Sequence, residues 1–269
     1  MTILPTRIVE KPWGRDRLPA PFAAPAGKRI GEIWFEPPET LPELLAKYLF
    51  TSEKLSVQVH PDDDQAEAAG YGRSGKEECW FVLAADPGAQ LGIGFRHALS
   101  AQDMRDAALD GSIEDLLAWH EVAAGDVFSI PAGTVHAIGA GVTVIEVQQN
   151  SDITYRLFDY GRPRELHLDA AIPVADGGAF DPSLRSRLDP QESGRVLENR
   201  YFTLDQVADG NWPGKLHSGA GPALVLPYRG DAQVDGIAVQ SGQCAVARQL
   251  ADVEVPKGSS VLIARPKRK

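Results

Sequence analysis

Cysteine and long apolar runs are what this chain has least of. Its 269 residues hold two cysteines, Cys79 and Cys244, far apart and outside any Cys-x-x-Cys pair. That excludes a disulfide framework and a zinc ribbon, and it fits a reducing compartment. No apolar run of about 18 residues occurs, and Met1 to Pro12 carries no apolar core of signal-peptide length. A soluble, unexported, cytoplasmic protein with no membrane contact is therefore expected. Basic blocks are equally scarce. Only the terminal Lys267-Arg268-Lys269 stands against a formal net charge of -10, a balance that repels nucleic acid and anionic lipid. A small molecule is the expected partner. If that molecule carries a phosphate, the site must gather its own cations, because no Gly-rich phosphate loop is present.

Turn residues are abundant. Twenty-six Gly and 20 Pro without a low-complexity stretch suggest many short strands. The length and a 43% hydrophobic composition allow two β domains with buried cores. Alternation marks strands at Ile30 to Phe35, Lys47 to Phe50, Leu55 to His60, Cys79 to Leu83, Asp126 to Ile130, Val142 to Val147 and Thr154 to Phe158. Asp62 to Gly75 reads as a polar loop. Leu99 to Trp119 changes period, and Ser100 with Asp103 and Ser112 with Asp115 have capping-box spacing, so a small helical insertion is expected there. Asp176 to Arg187 has no periodicity and reads as a linker. Beyond it, Gly221 to Leu226, Ala232 to Val239, Cys244 to Val246 and Ser259 to Ile263 form short strands parted by turns such as Asp235-Gly236.

Three pieces carry chemistry. In Leu55 to His60 the apolar Leu55, Val57 and Val59 point one way, while Ser56, Gln58 and His60 point the other. Two ligand-capable side chains thus leave one strand on one face, which suits a divalent metal needing three or four N or O donors. Pro131-Ala132-Gly133-Thr134-Val135-His136 sets a His just after a tight Pro-x-Gly turn, aimed into whatever the sheet encloses. With Gly125 ahead of it, this piece resembles the second motif of the cupin superfamily, except that Ala140 stands where that motif ends in Asn. The third piece is Gly75-Lys76-Glu77-Glu78-Cys79-Trp80, in which Lys76 and Glu78 share a face and Glu77 takes the other.

Leu55 to Asp63 and Gly75 to Trp80, supported by Lys11-Pro12-Trp13-Gly14, Gly31-Glu32-Ile33-Trp34, Ser151 to Arg156 and Arg164 to His167, resemble the type I mannose-6-phosphate isomerases, in their short, low-molecular-weight form. The resemblance is strong from Lys11 to Asp169 and rests on domain order beyond. It implies an all-β fold of two cupin-type jelly-roll domains with a small helical insertion in the first: residues 1–175 as the catalytic, metal-binding domain and 188–269 as a metal-free one. It further implies one zinc ion per chain, held by Gln58, His60, Glu78 and His136, with Glu77 as the neighbouring acid that competes with Glu78 for the role. Lys76, as a proton-handling or phosphate-binding group, and Arg156 are the implied catalytic residues.

The implied reaction interconverts mannose 6-phosphate and fructose 6-phosphate, with Lys76 or a metal-bound water as the base. Other readings stay open: an isomerase for another sugar or sugar phosphate, a non-catalytic sugar-binding cupin, or an iron dioxygenase, which would present more His ligands. Ser56 is a further candidate for substrate contact. Trp13, Trp34 and Trp80 serve packing or a sugar pocket, whereas His97, His120, His167 and His217 read as structural or exposed. The oligomeric state is open, a homodimer included.

Overall fold

The structure is a computed structural model that describes residues 2–214, 216 and 220–267; His217, Arg268 and Lys269 lie outside the described residues. The expected all-β class is observed. Four antiparallel sheets stack as layers. A five-stranded sheet (Tyr155–Phe158, Val57–Val59, His136–Ile138, Gln90–Phe95, Leu117–Glu121) faces a seven-stranded one (Arg185–Arg187, Asp126–Ile130, Glu78–Ala85, Val142–Gln149, Leu44–Phe50, Ile30–Phe35, Thr6–Arg15). The seven-stranded sheet turns its back on a six-stranded sheet containing Phe202–Ala208, Ala223–Arg229 and Ser260–Pro266, and a three-stranded sheet closes the far side.

Side-chain alternation explains the layering. Along Glu78–Ala85, Trp80 and Val82 join an inner core with Leu91, Ile93, Phe128 and Val144, while Cys79 and Phe81 join an outer core with Ile145, Val147, Phe202, Leu204 and Leu262. The seven-stranded sheet is covered on both faces, so every residue of Val142–Gln149 is buried, polar ones included. The inner face turns polar at one end, and the site lies there.

The expected insertion is the helix Ala101–Asp110, capped reciprocally by Ser100 and Asp103, followed by the short Ile113–Leu116. Ser112 makes no side-chain cap; its N–H is taken by Asp110 instead. Asp235 and Gly236 both adopt positive φ in the turn joining Ala232–Val234 to Ile237–Val239, the geometry a two-residue hairpin requires.

Three segments depart from expectation. Asp63–Ala68, read as loop, is a helix whose capping box is Asp62 with Gln65. Thr6–Arg15 is a strand despite Pro12, because it is an edge strand whose register slips between Glu10 and Arg15, so no ladder bond is lost. Arg185–Arg187, inside the expected linker, pairs with Asp126–Ile130.

The outer core is built from both halves of the chain, so the halves are expected to melt together. Phe202→Ala removes a fully buried ring from it and should cost about 3–5 kcal/mol. Calorimetry checks this: a single transition shifted to lower temperature is the expected outcome.

Candidate metal centre and pocket

Gln58 sits opposite both His136 and Arg156 in the five-stranded sheet, so these three side chains form one cross-strand row. His60 leaves the same face two residues on. Glu78 comes from the facing sheet, at the first position of its strand. The two sheets thereby bring His60, Glu78 and His136 together, fully buried, with ligand atoms all within 4.8 Å of one another. Glu78 Oε1 lies 3.4 Å from His136 Nε2, Glu78 Oε2 lies 3.6 Å from His60 Nε2, and the Gln58 amide approaches His136 Nε2 at 3.3 Å. Donors held about 2.1 Å from a tetrahedral centre stand about 3.4 Å apart, so these spacings fit a bound ion.

The hydrogen bonds behind the cluster point the same way. His60 Nδ1 bonds the Ile153 carbonyl at 2.7 Å and His136 Nδ1 bonds the Thr134 carbonyl at 2.8 Å. A carbonyl only accepts, so each Nδ1 carries the proton and each Nε2 turns a lone pair to the centre. Burial, reinforced at His60 by the Lys76 charge, keeps both rings neutral, His136 down at about 4 and His60 well below the usual range. Glu78 pairs with Lys76, whose Nζ lies 3.0 Å from Oε2, and no other donor among the described residues reaches either of its oxygens. Burial, aided by Glu146, pushes that carboxyl up to about 7. A buried carboxylate left open between two imidazole lone pairs is a site shaped for a cation. Rotating the Gln58 amide by half a turn presents its oxygen to the same point.

Glu78, and not Glu77, enters the cluster. Glu77 is half-buried on the opposite face, its carboxyl raised to about 7 by burial. Lys76 is buried beside Glu78, with Nζ 3.0 Å from His60 Nε2. Burial alone would lower its pKa, but Glu78 and Glu146 outweigh that and hold it above the usual lysine range.

From the cluster a pocket of about 210 Å³ opens, lined by Ser56, Gln58, Lys76, Thr154 and Arg156, and by Trp13, Trp34 and Trp80. Arg156 bonds only the Glu165 carbonyl through its side chain, at 3.1 Å, and no carboxylate lies within ion-pair distance of it among the described residues. His167 braces the Arg156 backbone, accepting its N–H at 3.0 Å, while His97 is exposed and His120 packs against Phe128 and Phe180.

Sequence reasoning missed the pocket's other charges. Glu146 accepts from Lys47 at 3.0 Å and from Trp80 Nε1 at 3.0 Å. Burial would raise its pKa, but Lys47 and Lys76 hold it down at about 2. Glu32 accepts from Trp34 Nε1 at 2.6 Å and pairs with Lys11 at 3.2 Å. A lone acid inside the apolar run Val142 to Val147 was the available sign for Glu146.

No family model matches the chain. It is 44% identical over 169 residues to a mannose-6-phosphate isomerase of Streptococcus mutans, covering 60% of this chain and 53% of that protein. It is 42% identical over 139 residues to the mannose-6-phosphate isomerase ManA of Bacillus subtilis, covering 49% and 44%. The chain thus spans about half the length of the curated relatives it matches. Over nearly its whole length it shares the fold of the crystal structure of a mannose 6-phosphate isomerase from Bacillus subtilis, with a TM-score of 0.76, 23% identity and 98% of each chain covered.

A cation entering this cluster must displace the proton that Glu78 retains up to about pH 7, whereas both histidines are already neutral. Apparent affinity is expected to fall about tenfold per pH unit below 7 and to level off above it. Chelator competition across pH 5.5 to 8.5, a range chosen at about 1.5 units to each side of that value, checks this.

Proposed function

We propose that this chain is a zinc-dependent aldose–ketose isomerase interconverting mannose 6-phosphate and fructose 6-phosphate. The observation that carries the reading is Glu78, buried without a hydrogen bond between two imidazole Nε2 atoms at the base of a pocket rich in lysine. Gln58, His60, Glu78 and His136 would hold the ion. Two imidazole nitrogens, an amide oxygen and a carboxylate suit redox-inert Zn²⁺, and the reaction needs no net oxidation. The relatives' names support the substrate.

Charge balance supports it independently. Lys11, Lys47, Lys76 and Arg156 line the pocket, and with Glu78 the carboxylates facing it are also four, the others being Glu32, Glu146 and Asp152. With Lys76 protonated, the pocket is formally neutral. A dication brings a double positive charge, which a phosphate monoester, carrying about -2 at pH 7, would neutralise. An uncharged sugar would leave that charge uncompensated.

The hard step is removal of a C–H proton beside a carbonyl, which leaves charge on the enediol oxygens. A bound dication would supply Lewis-acid stabilisation of that charge and, by repulsion, favour proton release from Lys76. Lys76 is the proton carrier: in its neutral form it takes the proton from one carbon and returns it to the next. Glu146 has both oxygens engaged by Lys47 and Trp80, so it acts as a fixed anion that orients Lys47 and offsets the pocket's cations. Arg156, with no carboxylate partner among the described residues, has guanidinium donors to offer the phosphate. Trp13, Trp34 and Trp80 present apolar faces to the sugar and exclude water.

A coupled assay of mannose 6-phosphate to fructose 6-phosphate, run before and after chelation with zinc added back, tests the reading. Turnover that disappears and returns supports it. A folded, zinc-loaded protein that binds the sugar phosphate without turnover would point to a binding role instead, and turnover of a different sugar would move the substrate. Lys76→Ala should lower kcat by about 10²–10⁴-fold with a smaller change in KM.

A further inference from the structure

Lys76 and Glu78 reach the centre from one side of a short stretch of backbone, and a separate set of polar side chains grips that stretch from the other side. Gly75 passes so close to Asp62 that a Cβ on it would lie 2.4 Å from the Asp62 carbonyl carbon. Lys76 N–H donates to the Pro61 carbonyl at 3.0 Å, which fixes the crossing. Asp63 Oδ1 accepts from the Gly75 N–H at 2.9 Å and from Gln149 Nε2 at 2.9 Å. Gln149 Oε1 accepts from the Glu77 N–H at 2.9 Å, and the Gln149 N–H donates to the Glu77 carbonyl at 3.0 Å.

Thus Asp63 holds the Ser74–Gly75 peptide and Gln149 the Lys76–Glu77 peptide, just ahead of Glu78. Gln149 is buried and its side-chain oxygen and nitrogen are both used in this grip. Tyr201, just ahead of the strand Phe202–Ala208, accepts at its carbonyl from the Lys267 N–H at 2.7 Å. None of these side chains touches the pocket.

We infer that Asp63 and Gln149 are positioning residues that set Lys76 and Glu78 against His60 and His136. The inference rests on the metal-centre reading and goes beyond it. A side chain one bond removed from a ligand's backbone tunes affinity as outer hydrogen bonds do, and losing such a partner costs about 10–100-fold in metal affinity. Three variants separate positioning from plain stability. Gln149→Met keeps the volume and loses both bonds. Asp63→Ala removes the acceptor for Gly75 and Gln149. Asp63→Asn keeps an oxygen that accepts from Gly75 and Gln149.

The test is zinc affinity by chelator competition on folded protein, with Tm recorded alongside and no substrate present. Gln149→Met and Asp63→Ala should each weaken zinc by about 10–100-fold, while Asp63→Asn stays within about threefold of the parent. Equal zinc affinity in parent, Gln149→Met and Asp63→Ala, even with lowered Tm, would overturn the inference and leave the metal centre standing. If Gln149→Met does not fold, Asp63→Ala decides. A parent protein that takes up no zinc would overturn the metal-centre reading and this inference with it.

Discussion

A carboxylate buried without hydrogen bonds is among the costliest arrangements a fold can hold, worth several kcal/mol unless a counter-charge answers it. Glu78 is in that position, and the surroundings make sense as its answer. Lys76 stands beside it, two imidazoles turn lone pairs toward it, and their far nitrogens are tied to carbonyls so that neither ring can offer a proton. Lys76 answers one oxygen of Glu78 as an ion pair at 3.0 Å, and both oxygens otherwise face imidazole lone pairs, an arrangement held at the expense of stability, in the way functional centres do.

The stacked sheets are what make the arrangement possible. Because the seven-stranded sheet is covered on both faces, adjacent residues on one strand serve different tasks: Trp80 and Glu146 face the pocket, while Cys79 and Val147 pack toward the six-stranded sheet. The rigid outer core lets charged residues such as Lys47 and Glu146 remain buried in one geometry, each answered by the other across neighbouring strands. Gln149 and Glu77 lie on the outer side, where the backbone that carries the centre meets the rest of the chain.

Local chemistry was legible in the sequence and long-range register was not. Gln58 and His60 on one face follow from strand alternation, His136 from a tight turn, and the cap at Ser100 from its spacing to Asp103. The choice between Glu77 and Glu78 needed the facing sheet, because alternation separates the two without saying which side holds the histidines. Glu32, Lys47 and Glu146 are single charges in apolar strands, and only the pairing of strands distant in sequence shows that they answer one another. Thr6–Arg15 was hidden because Pro12 reads as a breaker until the strand is known to be an edge. Asp63–Ala68 was hidden because its cap comes from Asp62 and Gln65 inside a polar run.

The most direct test of the central claim is anomalous diffraction at the zinc edge from zinc-loaded crystals. The account predicts one peak per chain, bounded by Gln58, His60, Glu78 and His136, with donors at about 2.0–2.2 Å. A peak elsewhere, or none in crystals of protein that turns over substrate, would contradict it.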